Sequence, residues 1–443
     1  MTPVMTPPEP PAALTPLIAG LGAVTGYGWG IGPLREGLAA GKTSAELTEV
    51  DGVRTIAALV PDRDAEPGDP NERYEQAVDA AVDEALAEAT GHGWQPGPVV
   101  GLIFCTGIAD IRTVRDNFFS GTRPRPSLFP RLLHTSMGAL LARRHGWNGP
   151  NLVLNAACSS GNAALQTAEL WLRAGVATDV VVVGAEFCLI DEIITGFRRM
   201  RVLLGEDRTL ADCRPFQEGS RGFFLGEGAV ASVVTGRADG GRATLLGAAT
   251  SNDAFHLVAA EPEGRELQRC MVEALAAAGA EPADVAVVKA HGSGTALNDG
   301  AEAALADRLF PPATRVCSYK PLLGHCMAAA ALVELAGLLA GYEIGRLPER
   351  VTDDPAHPRL SDGQAPPPGL ALCASVGLGG TNTAVVLDIA APGGADRRAG
   401  AAAVETVPGA DGSADRSAIV SADRSAMDTA DRSAIDPAVG APT

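Results

Sequence analysis

The sequence predicts an α/β fold in which a largely parallel sheet packs between helices. Short apolar runs of strand length alternate with amphipathic helical stretches, starting at "LIAGLGAVTGYG", and the alternation is repeated in the second part of the chain. The 443 residues exceed what one hydrophobic core usually holds, roughly 250–300 residues. We therefore expect two packed halves or one large α/β unit.

The first part, residues 17–240, contains three clear strands. "VVGLIFCTG" is a strand followed by a turn, and "NLVLNAA" and "DVVVVGAEF" are buried strands on either side of one helix. Between the first and the second of these strands, "RLLHTSMGALLARRHG" predicts a helix, because basic residues and glycine are typical of a helix C-terminus.

The second part, residues 241–390, begins after a break near Gly240–Arg242 and repeats the pattern. "ELQRCMVEALAAAGA" and "DGAEAALADRLF" predict helices, and "VAVVKAHGSGT" runs from a strand into a loop. "SYKPLLGH" is a loop before an Ala-rich helix, and "LALCASVGLGGTNTAVVLDI" predicts strand, turn and strand.

Both ends of the chain differ from this pattern. Residues 1–16 are Pro-rich and lack Lys and Arg, so they predict a flexible arm and not a secretory signal peptide. Residues 391–443 carry three eight-residue repeats, "SADRSAIV", "SADRSAMD" and "TADRSAID". These are too polar to bury a core, which favours a disordered tail; a docking tail is the alternative.

Charge and cysteine content exclude several classes of protein. A net charge of −18 argues against nucleic acid as a partner, although a local basic patch could still bind an acidic protein. Eight cysteines without a C-x-x-C pair indicate reduced thiols and predict neither a disulfide scaffold nor a metal site. The stretch "MAAAALVELAGLLAG" is short for a membrane span and contains Glu334, so we expect a cytoplasmic protein.

Cys158 lies where an apolar strand is followed by Ser-Ser-Gly and an Ala-rich helix. Backbone N–H groups at a helix start have no internal partner and carry partial positive charge, which stabilises a thiolate and lowers the thiol pKa. This position predicts a nucleophile; a packed core thiol is the alternative.

Two further loops carry polar residues directly after predicted strands. His291 follows "VVKA", and Lys320 and His325 lie in "SYKPLLGH" at the mouth of a helix. A single histidine of this kind is usually structural. Two of them beside glycines, together with a cysteine at a helix start, indicate a catalytic site.

These stretches resemble the β-ketoacyl synthases, the condensing enzymes of the thiolase-like superfamily, from about Pro16 to Ile389. The motifs that carry the resemblance occur in the family's order: "GLGAVTGYG", "NAACSSG", "GFFLGEGA", "KAHGSGTALND", "YKPLLGH" and "SVGLGGTN". The resemblance implies a five-layer α/β/α/β/α sandwich of two similar halves.

The resemblance also implies roles for the site residues. Cys158 would take an acyl group from the phosphopantetheine arm of a carrier protein, and the N–H groups of Cys158 and Leu378, in the turn that contains Gly379, would form an oxyanion hole. His291 and His325 would bind the carbonyl of a malonyl thioester. Lys320 and Glu302 would be a supporting ion pair. No cofactor of the protein's own is implied, since the phosphopantetheine arrives on the carrier.

The implied activity is decarboxylative Claisen condensation of the acyl group on Cys158 with malonyl carrier protein, in polyketide or specialised fatty-acid biosynthesis. One alternative is an acyltransferase with a non-malonyl acceptor, and another is a non-catalytic scaffold for carrier proteins. The chain-length partner of type II polyketide systems lacks the cysteine, so the complete Cys–His–His set argues against an inactive subunit.

Two features concern partners and specificity. The family has a gating phenylalanine where this chain has Leu378, which implies a smaller gate. Arg198, Arg199 and Arg201 in "GFRRMRVLL" form a basic cluster that could dock an acidic carrier protein, or could be a solvated helix face. The family implies a homodimer, and a heterodimer with a chain-length partner is also possible.

Overall fold

The computed structural model describes residues 14–63, 70–119 and 133–389. Its strands are β1 (Leu17–Thr25), β2 (Gly28–Trp29), β3 (Glu46–Val50), β4 (Val53–Ala58), β5 (Val100–Cys105), β6 (Asn151–Leu154), β7 (Asp179–Glu186), β8 (Leu225–Gly226), β9 (Gly228–Thr235), β10 (Ala243–Asn252), β11 (Val285–Lys289), β12 (Arg315–Cys317), β13 (Leu370–Gly377) and β14 (Thr381–Ile389).

The helices are α1 (Ile31–Ala39), α2 (Pro70–Gly91), α3 (Ile111–Val114), α4 (Thr135–His145), α5 (Ser160–Arg173), α6 (Asp191–Arg199), α7 (Arg265–Ala277), α8 (Ala296–Leu309), α9 (Lys320–Leu323) and α10 (Ala330–Ile344). Short 3₁₀ or π turns occur at Arg115–Phe119, Leu210–Asp212, Pro282–Asp284 and Met327–Ala329.

The main sheet contains the same five-strand arrangement twice. Its strands follow the order β12-β11-β13-β14-β10-β1-β9-β7-β5-β6, with β2 paired to β1. Numbered in chain order within each half, both halves have the order 3-2-4-5-1 and meet where β1 pairs with β10. The expectation of two similar halves is confirmed, and the change from one to the other falls between Thr235 and Ala243.

The expectation of a largely parallel sheet is wrong. Only β5 with β6 and β7, and β11 with β12 and β13, pair in parallel within the main sheet of the described residues. The other pairs are antiparallel, among them β13 with β14 and β7 with β9. The reason is the connection: β13 and β14 are joined by Leu378–Gly380 alone, whereas parallel strands need a long crossover.

Helices form three layers around these two half-sheets. Helix α5 contacts strands of both halves, and α10 packs beside it against β1, β7 and β9, so these two helices form the middle layer. Helices α2 and α4 cover the outer face of the first half, and α7 covers that of the second. The architecture is therefore the expected α/β/α/β/α sandwich.

Strand β7 shows why the sequence suits this layering. Its side chains alternate between two cores: Val180 and Val182 face the middle layer, and Val181 and Val183 face the outer helices. A strand covered on both faces needs a continuous apolar run and not an alternating one, which explains "DVVVVGAE".

The middle layer also explains the most apolar helix of the chain. Every residue of α10 from Ala330 to Tyr342 is buried, because helices and sheets surround it. Within the described residues, Met327–Ile344 is the one helical stretch long and apolar enough to cross a membrane, and 83% of it is buried inside the protein. Its composition is that of a core helix.

Residues 1–13 of the predicted arm and the predicted tail after residue 390 lie outside the described residues. The segments that carry the predicted cysteine, the two histidines, Lys320 and Leu378 lie within the described residues. They are the turn before α5, the loop after β11, the loop around α9 and the β13–β14 turn.

Candidate active site

Cys158 occupies a tight turn between β6 and α5. The preceding residue, Ala157, has φ +49°, in the left-handed region, and Ser160 closes the turn by donating to the Ala157 carbonyl oxygen at 2.6 Å. The thiol of Cys158 is largely buried, at 6% exposure. The predicted position of this cysteine directly before a helix is confirmed.

The β13–β14 turn packs against the Cys158 turn. The Ser159 hydroxyl donates to the carbonyl oxygens of Ser375 (3.1 Å) and Thr381 (2.9 Å), one on each strand. Gly377 must be glycine here, since a Cβ would lie 2.7 Å from the Ala156 carbonyl oxygen. This packing brings the backbone N–H of Leu378 to the sulfur of Cys158, where the N–H of Cys158 itself also points. Gly379 continues the turn with φ +91°.

His325 faces the same sulfur from the opposite side. Its Nε2 lies 3.1 Å from Sγ of Cys158, and its Nδ1 accepts the backbone N–H of Met327 at 3.2 Å. A neutral imidazole carries one proton, so the accepting Nδ1 assigns that proton to Nε2. The backbone of His325 is fixed by its N–H bond to the Phe224 carbonyl oxygen at 2.8 Å.

His291 lies two residues after the end of β11 and stands next to His325, with ring centroids 5.7 Å apart. Lys320 lies on its inner side: Nζ donates to the carbonyl oxygen of His291 (2.5 Å) and lies 3.4 Å from Nδ1. Because an ammonium group can only donate, Nδ1 is the acceptor and Nε2 carries the proton, as in His325.

The predicted ion pair between Lys320 and Glu302 is wrong, since Lys320 pairs with Glu334. Its Nζ lies 2.6 Å from Oε1 of Glu334, and Oε2 of the same carboxylate lies 2.6 Å from Nζ of Lys289. All three side chains are fully or almost fully buried. The physical reason is that a carboxylate within the apolar helix α10 must be paired, and the two buried lysines supply that pairing.

Glu302 has a different task. From α8 it accepts the backbone N–H groups of His291 and Gly292, both at 2.7 Å, and the amide of Asn298 at 2.8 Å. It therefore holds the loop that carries His291 from the side opposite Lys320. Burial raises the pKa of the Glu302 carboxyl, although these donors act in the other direction.

Both histidines are kept neutral. Burial and, to a smaller extent, the Lys320 ammonium lower the pKa of His325 to about 3. Burial, Lys320 and His325 together hold the pKa of His291 well below its usual range. At neutral pH the site therefore presents two neutral rings, each with a proton on Nε2.

The pKa of Cys158 departs from the sequence-based expectation. Burial raises the pKa of the thiol to about 11, although Lys320 and the N–H of Leu378 act to lower it. The helix start does not compensate for the loss of solvent around the sulfur. The thiolate is thus a minor species in the free protein, and its formation depends on the hydrogen-bond donors that surround it.

Cys158, the two histidines and Leu378 line one cavity of about 330 Å³. Its inner end is formed by Cys158, His291 and His325, and Leu378 lies at its more exposed part, with 40% of its surface accessible. Apolar side chains form most of the remaining wall: Phe197, Met200, Val202, Phe223, Val258, Leu297 and Val376. Such a cavity suits an apolar chain that ends in a reactive carbonyl.

Sequence reasoning missed four polar residues in this cavity, His256, Ser293, Thr295 and Asn298, and one behind it, Glu334. Ser293 and Thr295 present hydroxyls 2.8 Å apart, and His256 accepts two backbone N–H groups at Nδ1, at 3.1 Å each. In the sequence, Glu334 stands out only as an isolated charge in an apolar helix. That isolated charge was the signal, because a buried carboxylate requires a partner.

The predicted docking arginines are not equivalent. Arg198 is largely covered and pairs with Glu206 at 2.9 Å, and it also donates to the Arg54 carbonyl oxygen. Arg199 and Arg201 are exposed at the end of α6, close in sequence to the cavity residue Met200. The two exposed arginines fit the predicted docking role better than Arg198 does.

Comparison with known proteins agrees with this fold. The model of the beta-ketoacyl synthase N-terminal domain matches residues 29–239, and that of the C-terminal domain matches residues 242–351. The two matches together follow the two halves of the fold. The chain belongs to the β-ketoacyl synthase family.

Curated relatives carry the name 3-oxoacyl-[acyl-carrier-protein] synthase 2. The protein from Rhizobium meliloti is 31% identical over 336 residues, which cover 70% of this chain and 79% of the relative. The protein from Staphylococcus aureus is 33% identical over 221 residues, 48% of this chain. The match spans about half of the length of the Staphylococcus aureus relative, 55%.

Solved structures show the same fold at lower identity. One is a type II polyketide synthase acyl-carrier protein in complex with its ketosynthase (AntDE:AntF), with a TM-score of 0.74, 21% identity, and coverage of 85% of this chain and 99% of that chain. Another is a ketosynthase in complex with its chain length factor from Xenorhabdus doucetiae, with a TM-score of 0.70, 24% identity, and coverage of 86% and 99%.

The raised pKa of Cys158 predicts how its alkylation depends on pH. Between about pH 7 and 10 the rate of modification by iodoacetamide should rise about tenfold per pH unit, because the thiolate fraction does so below the pKa. Mass spectrometry of the Cys158 peptide measures this rate. A plateau near pH 8 would show that the thiol is activated in the free protein.

Proposed function

We propose that the protein is a β-ketoacyl synthase that condenses an acyl group held on Cys158 with malonyl carrier protein, with loss of CO₂. The observation that carries the proposal is the pair of neutral imidazoles whose Nε2–H groups face the cavity beside the sulfur of Cys158. Two neutral donors suit a developing enolate oxygen, while a nearby cysteine holds the electrophile.

The first step is acyl transfer to Cys158. The sulfur attacks the carbonyl carbon of the incoming thioester, and the carrier's thiol leaves with the proton that Cys158 gives up. His325 Nε2–H, 3.1 Å from the sulfur, stabilises negative charge there. The backbone N–H groups of Cys158 and Leu378 lie beside this sulfur and would bind the oxyanion; one such donor typically contributes about 10²–10³ in rate.

The second step is decarboxylation of the malonyl thioester. Its carbonyl oxygen would accept from the Nε2–H groups of His291 and His325. When the bond to the carboxylate breaks, its electrons form the enolate and CO₂ departs. A neutral donor is suited to this task, because it stabilises the enolate oxygen without handing over its proton before the carbon attacks.

The third step forms the carbon–carbon bond. The enolate carbon attacks the Cys158 thioester, and the same two backbone N–H groups bind the new oxyanion. Collapse of this intermediate expels the sulfur of Cys158 and leaves a β-ketoacyl group on the carrier. The apolar cavity wall limits access of water, which would otherwise protonate the enolate.

Two other functions share part of this machinery. An acyltransferase would need Cys158 but no enolate-binding histidines, and a scaffold would need neither. The contacts from Glu334 to Lys320 and from Lys320 to His291, behind the cavity, favour condensation, because acyl transfer without an enolate does not require His291 to be held in place. Release of CO₂ would distinguish condensation from the acyltransferase, and stable acylation of Cys158 would distinguish it from the scaffold.

We propose an acyl carrier protein and a malonyl carrier protein as substrate partners, and a cytoplasmic dimer as the working form. Within the described residues, strand β6 is one edge of the main sheet, and its Asn151 and Leu152 are exposed. An edge strand of this kind offers a free row of backbone groups to another chain. Sedimentation equilibrium should give twice the 45.2 kDa of one chain or the mass of a heterodimer; a monomer under all conditions would contradict the dimer.

His291→Ala and His325→Ala should each still accept an acyl group on Cys158 but lose decarboxylation. We expect CO₂ release from malonyl carrier protein to fall about 10²–10⁴-fold, the usual effect of removing such a donor. Radiolabelled CO₂ and the mass of the acylated protein measure the two partial reactions separately.

Cys158→Ala serves as the control for these variants. It should form no acyl-enzyme while it keeps both histidines. Normal CO₂ release from either histidine variant would remove that residue from the proposed role. A covalent acyl-enzyme in Cys158→Ala would show that the nucleophile is a different residue.

Arg201→Glu should weaken carrier-protein docking more than chemistry. Arg201 belongs to a local basic patch near the cavity in a chain of net charge −18, so reversing its charge replaces attraction for an acidic partner with repulsion. We expect the apparent KM for acyl carrier protein to rise about three- to tenfold, with a shallower dependence on salt, because charges at an interface rim act mainly on association.

Arg143→Glu, an equal charge change at an exposed position of α4, is the matched control for Arg201→Glu. A small acyl thioester without the carrier protein should react equally with both variants. Equal losses with the small thioester and with the carrier protein would show that Arg201 supports the pocket and not docking.

A further inference from the structure

Lys289 is a buried lysine that the proposed reaction does not use. It is the last residue of β11 and has no exposed surface, and its strand neighbours in register are Cys317 of β12 and Cys373 of β13. A lysine is almost never fully buried unless it is paired, because removing an ammonium from water is costly. Its presence at the end of the strand that leads to His291 therefore requires a reason.

The partner of Lys289 is Glu334. Nζ of Lys289 lies 2.6 Å from Oε2 of Glu334 and 3.4 Å from the hydroxyl of Ser375. The other oxygen of that carboxylate, Oε1, lies 2.6 Å from Nζ of Lys320. Each oxygen thus has one lysine, and we call this arrangement the buried charge cluster, made of Lys289, Glu334 and Lys320.

The cluster fixes which way the Glu334 carboxylate turns. If Lys289 were absent, Lys320 could move to bridge both oxygens, as a single ammonium does with a free carboxylate. Lys320 would then leave the carbonyl oxygen and Nδ1 of His291, to which it now points. Among the described contacts, Lys289 Nζ meets Glu334 and Ser375 and does not reach either histidine or Cys158.

The cluster also sets the local charge. Two ammoniums and one carboxylate leave one positive charge in a site without solvent, and the buried carboxyl of Glu302 is the next acidic group. This excess acts on the site, since the charge on Lys289 contributes to the low pKa of His291 and of His325. With Lys289 neutral, the charge of Glu334 would be compensated by one lysine only.

We infer that Lys289 is a positioning residue of the active site, which acts through Glu334 to hold Lys320 on His291. This inference rests on the proposed function for the reaction it serves. It names a residue outside the Cys–His–His set, and its physical content, a carboxylate held between two lysines, can be tested without substrate.

The test compares Lys289→Met with Cys317→Ala. Methionine has similar length and no charge, and Cys317 is a packing control on the adjacent strand, opposite Lys289 in register. We expect Lys289→Met to lower CO₂ release from malonyl carrier protein about 10- to 100-fold and to reduce acyl transfer less. Alkylation of Cys158 at pH 9 should slow about three- to tenfold, because Glu334 then raises the thiol pKa more strongly.

A purely structural role would give a different pattern. Both variants would then lower the melting temperature, and neither would change the alkylation rate of Cys158 or the ratio of the two partial reactions. That result would overturn the inference. If the wild-type protein released no CO₂ from any malonyl thioester, the proposed function would fail, while the alkylation rates would still decide the role of Lys289.

A double variant removes the remaining ambiguity. Glu334→Gln leaves two uncompensated ammoniums, whereas Lys289→Met combined with Glu334→Gln leaves one. If Lys289 acts through Glu334, Cys158 in the double variant should be alkylated no more slowly than in Glu334→Gln alone. The double variant should also be more stable than Glu334→Gln, because it buries one unpaired ammonium fewer, and this holds even if Lys289→Met alone does not fold. Additive losses from the two changes would contradict the inference.

Discussion

The carboxylate of Glu334, buried in the middle layer of the sandwich, joins the parts on which the site depends. It belongs to α10, and it binds one lysine from β11 and one from α9, so three elements share a single charged contact. A buried carboxylate cannot be left unpaired without a large cost in free energy. The contact therefore fixes β11 and α9 relative to the central helix, and His291 and His325 lie two residues after the ends of these two elements.

From this contact the electrostatics of the cavity follow. The Lys320 ammonium donates to Nδ1 of His291, and a backbone N–H does the same for His325, so both rings carry their proton on the nitrogen that faces the cavity. Burial and positive charge keep both rings neutral, and the same burial keeps the thiol of Cys158 protonated until donors stabilise its charge. The cavity thus supplies hydrogen-bond donors to oxygen and sulfur, and no strong general base.

The local order of the chain predicted much of this. Cys158, His291 and His325 were found because each follows a strand or precedes a helix beside small residues, a pattern that local sequence carries. The pairing of Lys320 with Glu334 was missed because it joins residues 14 positions apart across a helix start, with no local pattern to mark it. The alternation of strands and helices does not predict the antiparallel pairs, which depend on short connections such as the three-residue turn between β13 and β14. The raised pKa of the thiol depends on burial by the β13–β14 turn, more than 200 residues away in sequence.

The measurement that bears most directly on the neutral imidazole pair is ¹⁵N NMR of protein labelled in its seven histidines, with His291→Gln and His325→Gln variants to assign the two signals. Both rings should be neutral with the proton on Nε2 throughout about pH 5 to 8, the range in which an ordinary histidine titrates. A signal from either ring that titrates in this range, or one that shows the proton on Nδ1, would contradict the roles assigned to Lys320 and to the enolate-binding pair.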